Sequence, residues 1–510
     1  MDADFISSEI ERNRDEIVKL SLDLWENPEG PYEEFKASAW TADLLEKHGF
    51  EVEREAGGIK TAIKARYGAG RPVIGFLGEY DALPGLSQAR SSAPEPVPGQ
   101  NYGHGCGHNL ICGANAGAVI ALKAQMERDH IPGTIVFYGC PAEEVLTGKP
   151  FMARAGLFDG LDAALAFHPM ESNMTTCGNM TAADMAKFHF KGISAHASAD
   201  PYNGRSALDA VELMDIGANY LREHIKPDAR IHYVITEGGT APNIVPERAC
   251  VWYFVRAARR EDVEEVYERL VDVAKGAALM TGTQLEVEYL GGCYNTLNNS
   301  VLEEVVHRAM LETRQEPWTG EEIAYASELN RFYEANRAAV LDRYDLPDNM
   351  EIHEGVLPML TYGDCSSSDV GDVAHIVPTA FFTTACSNIG APGHSWQITA
   401  CSAHSIGWKG MLYGAKILAK SALELLTVPE LMEKAEQEFR KATKGKPYRC
   451  PLPEGMRRRG NYEFTQMPII AISVFQKTAR PGNSPHTTRS SFAISNIRLL
   501  PPDTPPLPFS

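Results

Sequence analysis

The stretch Gly103-His104-Gly105-Cys106-Gly107-His108-Asn109 sets a thiol and an imidazole two residues apart, and Pro141-Ala142-Glu143-Glu144 adds two carboxylates further along. In an extended loop, side chains two apart point the same way, so Cys106 and His108 are expected to face one point while the glycines let the backbone come close. A thiolate and an imidazole suit zinc or another borderline-soft divalent ion, and a following carboxylate completes a site that leaves room for water. A Cys-Xaa-His tripeptide standing alone arises often by chance, as a buried thiol beside a surface imidazole. Its company gives this one weight.

Glu143 and Glu144 follow an apolar run over 133–139, and Phe167-His168-Pro169 follows another over 161–166. Both runs read as buried strands. Between the first cluster and the carboxylates, 109–128 repeats Leu110, Ala114, Ala118, Leu122 and Met126 on one helical face. Such strand-helix-strand units form parallel sheets, which hold ligands outside the carboxyl ends of their strands. An earlier run, 73–77, leads into Gly78-Glu79-Tyr80-Asp81-Ala82-Leu83-Pro84 and brings another acidic pair to the same edge. Four polar clusters at one edge are hard to obtain from core packing alone.

With 510 residues and 44% hydrophobic content, the chain buries a large core in two or more domains. Its formal charge of −19, with no basic stripe, argues against nucleic acid or an anionic membrane surface and for a small-molecule partner. The acidic N-terminus has no apolar signal core and nowhere are 18 apolar residues consecutive, so the expected location is cytoplasmic. The ten cysteines are scattered; Cys112, Cys140, Cys250, Cys386 and Cys401 read as reduced core thiols, and Cys106 alone has partners suggesting chemistry.

In order, GEYDALPG, GHGCGHN, PAEE, AFHP, GISAHAS, SSSDVGD and APGHSWQ resemble the aminoacylase and carboxypeptidase-like metallo-amidohydrolases, and among them the aminobenzoyl-glutamate utilisation protein B group. The resemblance covers about residues 1–455. It implies two divalent ions, zinc or manganese, with the Cys106 thiolate bridging, His108 and His168 completing one ion, and Glu144 and His394 the other. His104 and Asp81 are then expected to orient these ligands. Glu79 stands where distant relatives carry a histidine ligand, and its own role stays open. Glu143 precedes a ligand without needing to be one, and is the expected general base. His196 matches a histidine that reaches a neighbouring protomer's site to stabilise an oxyanion, and Asn243 and Arg256 match further positions, Arg256 able to hold a substrate carboxylate against the bland reading of a surface ion pair. The implied activity is hydrolysis of an N-acyl amino acid or dipeptide-like amide such as p-aminobenzoyl-glutamate. Alternatives are a cytosolic dipeptidase of unusual preference and a non-catalytic subunit; retention of all six site residues argues against the latter. A homodimer is expected, or a hetero-oligomer with a paralogous subunit.

The expected architecture is α/β: a mostly parallel sheet flanked by helices, with an inserted ferredoxin-like α+β lid that also dimerises. A first helix capped by Ser8 carries Ile10, Ile17, Leu20 and Leu24; a second covers 35–48. Strands are expected at 51–54 and 61–67, and 87–100 as a surface loop over the site's rim or an inert connection. The catalytic part spans 1–184 and 293–455, the β-α-β-β-α-β insert 185–292, and 456–510 is expected to be a disordered tail.

Overall fold

The computed structural model describes residues 4–175, 178–359, 366–458 and 471–472. Its strands are β1 (Glu51–Arg54), β2 (Ile63–Ala69), β3 (Val73–Glu79), β4 (Leu83–Pro84), β5 (Tyr102–Gly103), β6 (Gly133–Cys140), β7 (Ala163–Met170), β8 (Met174–Thr175), β9 (Ala182–Lys191), β10 (Arg230–Glu237), β11 (Arg248–Ala257), β12 (Gln284–Cys293), β13 (Thr379–Ala385) and β14 (Ala471–Ile472). The helices are α1 (Asp4–Arg12), α2 (Arg14–Glu26), α3 (Phe35–Lys47), α4 (His108–Asp129), α5 (Gly148–Arg154), α6 (Ala207–Leu221), α7 (Arg260–Thr281), α8 (Ser300–Glu312), α9 (Gly320–Asn330), α10 (Glu334–Arg343), α11 (Val370–Ala374), α12 (Trp396–Ser402), α13 (Ser405–Thr427) and α14 (Pro429–Thr443).

The larger sheet runs β1-β2-β6-β3-β7-β13-β8, with the central strands β6, β3, β7 and β13 parallel and antiparallel pairs at both edges. β6 and β13 are buried along their whole length, as strands covered on both faces must be. Alternation divides their side chains: Ile135 and Phe137 join Ile74 and Phe76 under α4 and α13, whereas Val136 and Tyr138 face Phe151 and Met152 of α5 on the other side. This three-layer packing fixes the strand ends from which the site is built.

The second sheet, β10-β11-β9-β12-β14, is antiparallel throughout. Its elements follow as β9-α6-β10-β11-α7-β12, and α6 and α7 cover one face through Val211, Met214, Val266 and Leu270 against Phe188, Val251 and Tyr253. Fold class is therefore the expected α/β with a ferredoxin-like α+β insert. β14 adds a strand at the β12 edge, inside the segment expected to be a disordered tail; the rest of that expectation, beyond residue 458, lies outside the described residues.

Two local readings need correction and a third gains detail. The single first helix is two, because Asn13 donates through Nδ2 to the Glu9 carbonyl at 2.8 Å and breaks the run; Ser8 lies inside α1 instead of capping it. The second strand starts at Ile63, after a turn in which the Ala62 N–H bonds the Ile59 carbonyl. The loop over 87–100 has no regular structure but is laced down: the Ser92 hydroxyl donates to Glu328 of α9, the Tyr325 hydroxyl to the Ser91 carbonyl, and Thr399 of α12 to the Leu86 carbonyl.

Candidate active site

Four chain segments leave one edge of the larger sheet and meet. β3 ends at Glu79 and runs on to Asp81; β6 ends at Cys140 and turns through Glu143 and Glu144; β7 carries His168; and the exit of β13 leads to His394. Cys106 and His108 do not lie on an extended loop as their spacing suggested. Gly107 is left-handed, at φ 74°, and His108 is the first residue of α4, so the backbone turns between them. A Cβ on Gly107 would stand 2.7 Å from the Pro169 ring, and glycine lets the turn press against the strand that carries His168. The two carboxylates sit on a tight turn, Glu143–Val145, flanked by Ala142 at φ 57° and Leu146 at φ 52°. Left-handed backbone at residues other than glycine costs energy and persists where the surroundings demand it. His394, at φ 53°, is a third instance.

The donor atoms of Cys106, His108 and His168 lie within 4.8 Å of one another, and so do those of Cys106, Glu144 and His394. Cys106 belongs to both groups, its sulfur 3.3 Å from His168 Nε2. A third group joins Glu79, His108 and Glu143. The hydrogen bonds fix the orientation of two rings. His108 Nδ1–H donates to Asp81 Oδ1 at 3.0 Å and His168 Nδ1–H to the Pro169 carbonyl at 2.9 Å, which turns both Nε2 atoms to the cluster. Asp81 uses its other oxygen to accept the Glu144 backbone N–H at 3.0 Å, so one carboxylate orients the imidazole and the turn together.

The residues present fit metal ions. His108 Nε2 and Glu144 Oε1 are buried without a hydrogen-bond partner among the described residues, a costly state for polar atoms unless something outside the chain binds them. Burial, then repulsion from Glu79 and Glu144, pushes Glu143 up to about 8; burial likewise raises Glu144 to about 8 against the pull of His108. Burial and then Glu144 push the Cys106 thiol up to about 12. The protein's own charges therefore do not balance these groups, and thiolate formation at neutral pH calls for a cation.

The remaining expected residues divide. The His104 Nε2–H donates to the Leu24 carbonyl of α2 at 3.3 Å, so it braces a helix where it was expected to orient a ligand. Arg256, on β11, donates to the Ser367 hydroxyl at 2.9 Å, stacks over Phe254, and is near enough to His394 to depress its basicity after burial and His108. His196 and Asn243 belong to none of the donor groups: they face each other's strand segments in the insert, both exposed, and Ala197 N–H bonds the Asn243 carbonyl. His196 Nδ1 accepts the backbone N–H groups of Ser198 and Ala199, which leaves its Nε2–H pointing away as a donor.

Sequence reasoning missed Lys149, fully buried beside Glu79, and its second partner Asp369. It also missed Glu34, fully buried, which accepts the Ala142 N–H at 2.9 Å and so helps hold the carboxylate turn. A lysine among apolar residues in Gly148-Lys149-Pro150-Phe151 was the available signal.

The model of peptidase family M20/M25/M40 matches residues 75–356, more than half of the chain. The chain belongs to this family, and it is a metal-dependent amidohydrolase, a hydrolase of amide or peptide bonds. It is 40% identical over 476 residues to one of the p-aminobenzoyl-glutamate hydrolase subunits of Escherichia coli (strain K12), covering 89% of this chain and 98% of that one. It is 28% identical to the Xaa-Arg dipeptidase of Homo sapiens over 84% of this chain and 90% of that one. The fold is shared with a Bacillus subtilis dinuclear metal binding peptidase of the M20 family, at a TM-score of 0.55 and 19% identity over 82% of this chain and 99% of that one.

Proposed function

We propose that the chain hydrolyses an N-acyl amino acid of the p-aminobenzoyl-glutamate kind with two divalent ions, one held by Cys106, His108 and His168 and the other by Cys106, Glu144 and His394. The observation that carries this reading is the pair of donor groups sharing one thiol, with Glu143 beside them and outside both. Thiolate, imidazole and carboxylate together accommodate zinc or manganese. When bound, the ions polarise the amide carbonyl and lower the pKa of a water towards about 7. Glu143 takes the proton of the attacking water as its oxygen bonds to the carbonyl carbon, and returns it to the nitrogen as the C–N bond breaks. Arg256 offers a guanidinium to the substrate carboxylate near His394. His196, through its Nε2–H, serves as oxyanion donor in the site of a second chain.

The lid supports such pairing. β10 is an edge strand and exposes Tyr233, Val234 and Ile235, and α6 exposes Ile216 and Tyr220. Two Escherichia coli relatives carry the names of different subunits of p-aminobenzoyl-glutamate hydrolase, and we propose a second copy of this chain or a paralogous partner at that edge. The deciding experiment is elemental analysis of the purified protein together with turnover of p-aminobenzoyl-glutamate after readdition of zinc or manganese. Bound metal and restored turnover are expected. A protein that binds neither ion and cleaves no amide would overturn the proposal.

A further inference from the structure

The hydrolytic scheme gives no task to a buried lysine that touches the site. Lys149 lies at the start of α5, fully buried, with its ammonium 2.5 Å from Glu79 Oε1 and 2.5 Å from Asp369 Oδ1. The same aspartate accepts the Lys149 backbone N–H through Oδ2 at 2.8 Å, so main chain and side chain are gripped together. Gly148 makes the approach feasible: a Cβ there would fall 1.7 Å from the Pro141 carbonyl oxygen, so only a glycine lets α5 fold back on the turn that bears Glu143 and Glu144. Asp369 is itself anchored, next to the segment in which Ser367 receives Arg256 and the Ser366 carbonyl receives the Thr181 N–H at the root of β9.

Glu79 stands inside the cluster. Its Oε2 is 3.6 Å from His108 Nε2, close enough that its carboxylate could ligate as well as Glu144 does. A carboxylate has two oxygens, and the ammonium holds one of them in a geometry that charge assistance makes strong. Releasing it would take one of two carboxylates from a buried ammonium, and breaking a buried pair costs far more than the pair gains.

We propose that Lys149, backed by Asp369, is a positioning residue that keeps Glu79 out of the metal shell and thereby sets the ligand set at five protein residues. Glu79 is then a counter-charge that faces His108 without binding an ion. The assignment rests on the two-ion reading above for what Glu79 is kept from, while the brace itself rests on the ion-pair geometry.

The test loads wild type, Glu79→Gln, Lys149→Met and the Lys149→Met/Glu79→Gln double variant with cobalt(II) alone. It reads ion content and the visible spectrum, which reports coordination number, and follows thermal unfolding of the metal-stripped proteins. Glu79→Gln is expected to keep wild-type ion content and spectrum. Lys149→Met is expected to change the spectrum, because the freed Glu79 reaches an ion, and the double variant to return it to the wild-type form. In stripped protein Lys149→Met should melt furthest below wild type, because Glu79 and Asp369 both lose their ammonium, and the double variant should recover the part of that loss due to Glu79. Ion loss or a changed spectrum in Glu79→Gln would make Glu79 a ligand and overturn the proposal, as would a Lys149→Met spectrum identical to wild type. If Lys149→Met does not fold, the double variant decides: a wild-type spectrum sustains the proposal and an altered one ends it. None of these readouts uses turnover, so a protein that cleaves no amide would sink the proposed function and leave this result standing; a wild type that binds no cobalt would leave the melting comparison to decide the brace.

Discussion

Glu143 and Glu144 are neighbours in sequence that share His108 but join different donor groups. The tight turn sends Glu144 towards Cys106 and His394, its backbone N–H pinned by Asp81, while Glu143 lies with His108 and Glu79. Glu143→Gln should therefore keep the ions and lose turnover by about 10²–10⁴, the scale of general acid-base catalysis. Glu144→Gln should lose an ion before it loses anything else. Elemental analysis of both variants beside their rates separates the roles, and equal ion loss in the two would show that they are divided wrongly. At this scale the residue types were legible from the chain, because a thiol, imidazoles and carboxylates in glycine-rich turns have few structural uses. What stayed hidden was which oxygen or nitrogen each group presents. Asp81 oriented on His108, and Lys149 claiming Glu79, are facts of packing between segments far apart in the chain, and no spacing rule encodes them.

The elements were legible wherever burial is uniform. β3, β6 and β7 appeared as apolar runs because both of their faces are covered, and α4, buried on every side from His108 to Leu122, through its apolar residues at helical spacing. The misreadings fall where one side chain overrides the pattern: Asn13 splitting the first helix, and Gly107 turning Cys106 away from an extended path. In the insert, a cross-strand pair offers a test of the sheet itself. His189 on β9 bonds Glu288 on β12 at 3.0 Å; burial opposes its protonation, but Cys250 and Glu288 outweigh burial and raise it to about 9. The folded value lies above the ordinary 6.5, so the pair contributes fully below pH 6.5 and the contribution is lost as pH rises through about 9. The size is about 1 kcal/mol or less for a pair that solvent partly screens. Glu288→Gln should melt below wild type at pH 6 and converge with it by pH 10. Melting curves offset equally at both pH values would remove His189 from the account.

At the scale of the whole molecule, the proposed sharing of the site between two chains turns on His196. His196 has its Nε2–H free of its own loop's bonds and exposed, on an insert whose β10 edge and α6 face carry apolar side chains outward. The proposed isologous dimer through that edge would offer each His196 to the other chain, twice over. His196→Ala should fold, associate and bind metal, yet lose on the order of 10²–10³ in rate as one oxyanion donor disappears. Mixing sharpens the test. An inactive His196→Ala chain combined with an inactive Glu143→Gln chain forms heterodimers in which one site unites an intact His196 with an intact Glu143, so activity should reappear once protomers exchange. Native mass spectrometry establishes that the mixed dimers exist. If they exist and remain as inactive as the parents, His196 acts within its own chain or takes no part in the reaction, and a homodimeric shared site is wrong for this protein.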